Sequence, residues 1–304
     1  MKGYIRVCPP PPSPEKLTKN NSIVLDCQST AKMFIPAVHE EKETAALLQF
    51  IHENPLGMLI TGVKSSSHNF LQCTHAPFIL DAAAASEPNT SDSSPGRLRA
   101  HIAKQNPQVK GIIEALDQSN QSNSNPTGNI TQLEEEVLVV FNGKHDHYVT
   151  PKYYIKTKPD TGKVVPTWNY SSVQVYGKLS LYYDSRTPEA AEFLAKQLHD
   201  LSQHTERSIM GYTGGDRGQP WKVADAPEKY IELMQRNIVG IEIRIEKIEG
   251  KHKMSQEMQT GDREGVVKGF EQLGGETATA ISELVKERGI LHDEEKRKKK
   301  EEKA

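Results

Sequence analysis

The sequence predicts an antiparallel, mainly β domain with peripheral helices, an α+β fold built around a small barrel. Three observations carry that expectation. Gly240 to Ile248 alternates Ile241, Ile243 and Ile245 against Glu242, Arg244 and Glu246, the period-two pattern of a strand with one buried face. Val173 to Tyr183 repeats the pattern with Val173, Val175, Leu179 and Leu181. Strand-like segments follow one another with few helices between them, and no Rossmann or P-loop fingerprint occurs, which argues against a doubly wound parallel sheet.

The elements follow in order. Residues 1–31 are Pro-, Ser- and Asn-rich and read as a flexible extension, with order expected from Met33-Phe34-Ile35-Pro36 and a folded domain over 32–290. Glu41 to Glu53 places Leu47, Leu48 and Ile51 at helical spacing, and Asn54-Pro55 stops it. Gly57 to Gly62, Val137 to Phe141 and His147 to Thr150 read as strands. Asn106-Pro107 is a cap and first-turn proline for a helix over Gln108 to Leu116. Thr187-Pro188 does the same for a helix striped by Leu194, Leu198 and Leu201. Pro227 opens another with Tyr230, Met234 and Ile238, and Glu276 to Arg288 is amphipathic. Ser/Asn-rich stretches near 82–96 and 117–129 read as insertions, and Gly-rich 208–219 as a loop, because such tracts bury too little apolar surface to offset chain entropy. The charged tail, 291–304, reads as a solvated helical end, with a nuclear localisation patch as the alternative.

Composition bounds the function. The 304 residues are 36% hydrophobic and 26% charged, enough for a core beside much polar surface. No run approaches the roughly 18 apolar residues of a membrane span, and no secretory signal opens the chain. Cys8, Cys27 and Cys73 show no CxxC spacing, so a reducing compartment, the cytoplasm, is expected, without disulfide framework or zinc site. A net charge of -2 gives no global attraction to nucleic acid, and no helix-turn-helix signature is visible, so direct DNA binding is not expected.

Three clusters could carry chemistry. Arg97 to Pro107 gathers Arg99, His101 and Lys104 before the helix start at Asn106, where unpaired N–H groups favour a phosphate; the alternative is a solvated basic loop. Lys163 to Tyr170 holds Trp168, Asn169 and Tyr170, an aromatic face with polar handles suited to a planar heterocycle, unless Trp168 simply plugs the barrel. Ile248 to Gln256 reads as a strand end and turn in which Lys253 and Ser255, two apart, would face one side of an extended chain and hold a phosphate, or form a plain surface turn. His145-Asp146-His147 lacks a third ligand and reads as a turn, while His199 and His204 read as surface residues.

In order along the chain, MFIPAVH, HENPLGMLITG, THAPFIL, RAHIAKQNPQ, HYVTPKYYIK, VPTWNYSSVQVYG, PWKVADAP, IVGIEIRIEKIEGKHKMSQ and DREGVV resemble the PaiB family of FMN-binding negative transcriptional regulators. The resemblance implies an FMN-binding split β-barrel, a homodimer with cofactor sites at or near the subunit interface. It makes His101, Lys104 and Asn106 candidates for the phosphate side, Trp168, Asn169 and Tyr170 for the flavin pocket, and Lys253, Ser255 and Gln256 for a second wall. It implies a flavin regulator or sensor; the alternatives are an oxidoreductase related to pyridoxamine-phosphate oxidases, and a haem-binding barrel using His75, His101 or His252. The family commonly has Arg at Lys104, Trp at Val109, Ser-Trp at Lys152-Tyr153 and Asn at Glu257, where a carboxylate pointing inward would repel a phosphate.

Overall fold

The computed structural model describes residues 34–83, 94–122 and 131–302. The expected extension at 1–31 and the central parts of both Ser/Asn-rich insertions lie outside the described residues. The strands are β1 (Glu40–Glu41), β2 (Leu56–Gly62), β3 (Leu71–Pro77), β4 (Ile79–Ala82), β5 (Gly96–Ala103), β6 (Gln132–Asn142), β7 (His147–Val149), β8 (Thr167–Tyr182) and β9 (Ile238–Lys253). The helices are α1 (Thr44–Glu53), α2 (Pro107–Ser122), α3 (Thr157–Thr161), α4 (Pro188–His204), α5 (Glu228–Gln235), α6 (Thr260–Leu273) and α7 (Glu276–Glu301). The strands form one antiparallel sheet in the order β3-β2-β6-β8-β9-β5-β4, with β1 added to β9 and β7 to β8. The expected α+β split barrel, antiparallel with peripheral helices, is what the chain builds.

Alternation explains the core. Leu59, Val139, Phe141, Val173, Val175, Leu179, Leu181, Ile241, Ile243 and Ile245 point to one face and bury with Leu47 and Ile51 of α1 and Val109, Ile112 and Leu116 of α2. A second, smaller core joins Val149 and Met254 to Val266, Phe270, Ile281 and Val285 of the α6–α7 hairpin.

A bulge in the central ribbon sets which groups face out. Tyr176 pairs with Lys247 and Gly177 with Ile245, so Glu246 has no partner in the register. A Cβ at Gly177 would collide with the Arg244 carbonyl, so the bulge requires glycine there. The extra residue reverses the parity of β9. Ile241, Ile243 and Ile245 face inward before it; Gly250 and His252 are buried after it, leaving Lys247, Glu249, Lys251 and Lys253 on the outer face.

The structure corrects several expectations. Arg97 to Ala103 is strand β5, paired with β9, and not a loop; inward Leu98, Ala100 and Ile102 are the alternation that the intervening charges obscured. β9 runs on to Lys253 instead of turning after Ile248, because β8 continues alongside it. Helix α2 carries on through Asp117 to Ser122, part of the expected insertion. The Tyr230 and Met234 stripe of α5 is exposed, not packed. Thr187 caps α4 as expected, its hydroxyl accepting the Ala190 N–H. Helix α4 lies on the outer face of the sheet, where Phe193 stacks on Tyr182 at 4.1 Å and occupies the space a side chain at Gly240 would need.

Candidate functional site

The two ends of β9 separate what the sequence grouped together. Gly240 stands opposite His101 on β5 and Tyr182 on β8, whereas Lys253 stands opposite Tyr170. Twelve residues of strand, roughly 40 Å along the chain, lie between Gly240 and Lys253. His101, Lys104 and Asn106 therefore do not share one pocket with Trp168, Asn169, Tyr170, Lys253, Ser255 and Gln256 within a single chain.

At the Lys253 end, alternation divides the aromatic motif between two faces. Trp168 is 51% exposed, so it does not plug the barrel. Its Nε1 donates to Asp146 Oδ1 at 2.8 Å, and its ring meets Tyr148 edge-on at 6.1 Å. The His145-Asp146-His147 turn thus orients the indole. Tyr170 shares the outer face, with Lys251 Nζ over its ring at 4.9 Å. Lys253 Nζ donates to Trp168 O at 3.1 Å and also to Thr167 Oγ1. Asn169 points the other way and is fully buried; its Oδ1 accepts from Ser255 Oγ at 3.1 Å, while its buried Nδ2 has no hydrogen-bond partner.

Ser255 does not pair with Lys253 on one side. Its φ of 59° takes the chain out of the extended form, and its side chain turns into the interior. Gln256 is buried as well: its Oε1 accepts the Met254 N–H at 2.6 Å and its amide donates to His252 O, so it stabilises the turn. Glu257 is exposed and lies 3.9 Å from His39 Nε2. Tyr153 packs on Phe270, and Val109 is core.

Under this end, on the inner face, sequence reasoning missed a polar network. Ser171 Oγ and His252 Nδ1 are 2.8 Å apart and both residues are buried. His252 Nε2 lies 3.8 Å from Glu41, which accepts from Arg288 Nη1 at 2.8 Å. Burial, with the Arg288 charge added, pushes the His252 pKa down to about 4, and the imidazole is neutral. Only the parity reversal at Glu246 brings His252 inward, and no sequence signal marks it.

At the other end, Arg99 is not available to a ligand. It is buried beneath α4, donating to Asp81 at 2.5 and 2.9 Å, to Asp200 at 2.7 Å and to Gln197 at 3.2 Å. His101, two residues on, lies on the same face; burial lowers its pKa, and its Nδ1 has no partner. Asn106 caps α2 through the Gln108 N–H at 2.8 Å and donates to Thr74 Oγ1 at 3.0 Å. Lys104 lines a cavity of about 540 Å³ together with Tyr183, Asp184, Ser185, Arg186 and Arg236. Of the histidines considered as haem ligands, His101 is largely covered and His252 is buried, while His75 is exposed on edge strand β3.

Comparison with known proteins places the chain. A family model described as "Putative FMN-binding domain" matches residues 33–247. An uncharacterized protein of Aspergillus fumigatus is 54% identical over 262 residues, covering 86% of this chain and 99% of its own length. The protease synthase and sporulation protein PAI 2 of Bacillus subtilis is 25% identical over 256 residues, 84% of this chain and 98% of its own. Among solved structures, the flavocytochrome Anf3 of Azotobacter vinelandii aligns over 70% of this chain and 69% of that one, with 11% identity and a TM-score of 0.37. The family match spans more than two thirds of the chain, and the chain belongs to the FMN-binding-domain family, as a homologue of the bacterial PaiB-type protein.

Proposed function

We propose that this protein binds FMN on the outer face of the β8–β9 ribbon, as a homodimer, and acts as a flavin-dependent regulator or sensor. The observation that carries the reading is the convergence of Trp168, Tyr170, Lys251 and Lys253 on one accessible face. The donor set fits the cofactor. Two ammonium groups suit a phosphate, and an exposed indole fixed by Asp146 suits the isoalloxazine ring. When bound, FMN supplies hydride or single-electron transfer, so the chain itself needs no nucleophile. Its residues bind, orient and shield.

The homodimer reading rests on the same face. Met58 and Ile60 of β2 lie opposite Val140 and Leu138 of β6, half-buried and outward, with Leu56 and Leu71 exposed beside them. That apolar strip continues through Gln174 and Tyr176 toward Lys251. A second copy covering it would close an otherwise open flavin face. Among the described residues no helix is long and apolar enough to cross a membrane. The regulatory role rests on the resemblance to the PaiB family of negative transcriptional regulators, and a net charge of -2 favours an indirect effect over DNA contact.

Desalted protein titrated with FMN tests the reading. Stoichiometric flavin absorption is expected. Trp168→Ala should weaken binding about threefold to tenfold through lost ring contact, and Lys253→Ala about tenfold or more through a lost charged hydrogen bond. Protein that stays colourless and leaves FMN fluorescence unchanged overturns it.

A further inference from the structure

The cavity at the Lys104 end of the sheet is built from three separate segments. Lys104 follows β5 and donates its N–H to Asn237 O at 2.8 Å; Tyr183 to Arg186 form the β8–α4 connection; Arg236 ends α5. Three cations thus meet one carboxylate, Asp184, in a chain whose net charge is -2. The carboxylate does not cancel them all. Asp184 grips Arg186 by Nε at 2.8 Å and Nη2 at 2.9 Å, which fixes the guanidinium plane and leaves its Nη1 without a hydrogen-bond partner among the described residues. Arg236 pairs with Glu232 only at 4.0 Å, and Lys104, whose charge helps hold the Asp184 carboxyl below its usual range, has no side-chain hydrogen bond among the described residues.

The cradle is also pre-formed. Asp184 O accepts the Thr187 N–H at 3.0 Å and its hydroxyl at 3.1 Å, and Thr187 then caps α4, so the loop carrying Ser185 and Arg186 is anchored at both ends. Ser185 adds a hydroxyl and Tyr183 a half-buried aromatic wall. About 540 Å³ is the size of a small-molecule site.

We propose that this cavity is a second anion site, distinct from the flavin face, that takes a diphosphate or phosphate ester of a soluble small molecule. Lys104, Arg186 and Arg236 hold the phosphoryl oxygens, and Tyr183 packs against the remainder of the ligand. The three cations outnumber the two carboxylates beside them, Asp184 and Glu232, and guanidinium edges match phosphoryl oxygens in pairs. The separation of Lys104 from Lys253 along β9 makes the two sites independent within one chain. A flavin protein with such a site would bind a phosphorylated effector or co-substrate beside its cofactor.

The test is calorimetric titration of the FMN-saturated protein with inorganic pyrophosphate at fixed ionic strength. One binding event per chain is expected. Lys104→Ala/Arg236→Ala should weaken it at least about tenfold, the loss typical of charged hydrogen bonds, with the flavin spectrum and the melting temperature retained, since both side chains are exposed. Lys286→Ala, which removes a cation elsewhere, should bind like the parent. Absence of pyrophosphate binding, or equal affinity in the double variant, overturns the proposal. Loss of FMN from the double variant also overturns it, by making the cavity part of the flavin site. Failure of FMN binding in the parent chain would instead strike the flavin reading, and pyrophosphate binding would then be read on the cofactor-free protein.

Discussion

The two ends of β9 hold positive charge in opposite ways. Near Gly240, Arg99 is buried and saturated by Asp81, Asp200 and Gln197, while Lys104 and Arg236, a few residues away, are exposed and line a cavity. Near Lys253, the cations of β9 itself are outside: Lys251 lies over Tyr170, Lys253 crosses to Thr167 and Trp168, and the inward position on the strand is taken by neutral His252. A cation that is fully hydrogen-bonded within the fold is structural; one left on an open face or in a cavity is available for a ligand. Residue type alone does not separate them, because the partners that decide lie about a hundred positions away, as Asp200 does from Arg99.

The sharpest test of this contrast is Arg99→Ala. The change strands Asp81 and Asp200 at the edge of a buried site and opens a void beneath α4. We expect a loss of about 3 kcal/mol, the lower part of the range for breaking a buried ion pair, read as a lower urea midpoint. FMN affinity at the opposite end should hold at a temperature where the variant is folded. A drop in FMN affinity without a drop in stability would show that Arg99 serves the ligand after all.

His252 tests the other end. Its folded pKa is about 4, against 6.5 in the free imidazole. Above pH 6.5 the ring is neutral in both states. As pH falls from 6.5 to 4 the unfolded chain takes up a proton that the folded chain refuses, so stability declines; below 4 this group contributes no further change. The full decline from this residue is roughly 3 kcal/mol, at about 1.4 kcal/mol per pKa unit. His252→Gln should flatten the pH dependence of the urea midpoint across that window. Part of the slope will remain, because burial also lowers the pKa of His39 and His101. An unchanged slope would mean that Glu41, at 3.8 Å, holds the imidazole charged.

These cases mark what the sequence makes legible. Elements with strong local signals were readable: the Ile241, Ile243 and Ile245 alternation, and the Thr187-Pro188 and Asn106-Pro107 helix starts, all formed where expected. So were the family and its fold. The division of the site was not. Trp168, Asn169 and Tyr170 read as one motif, but neighbouring strand residues face opposite ways, and only knowledge that β8 already runs there tells which two share a face. Strand β5 was hidden because its outward residues, Arg97, Arg99 and His101, gave it the look of a basic loop. Lys253 and Ser255 were separated by a single backbone angle at Ser255 that no side-chain pattern announces.

The smallest effect concerns the loop that presents Arg186. Thr187 caps α4 through the Ala190 N–H and also donates its hydroxyl to Asp184 O at 3.1 Å. Thr187→Ala removes both contacts and should cost about 1 kcal/mol of stability. Thr187→Ser keeps the hydroxyl and should cost less. If the Lys104 cavity is a pre-formed site, the alanine variant should bind pyrophosphate more weakly than the serine variant, because an unanchored loop must be ordered when the ligand arrives. Equal affinities would mean that the Asp184–Arg186 pair alone holds the guanidinium in place, and the cap would then matter to the helix only.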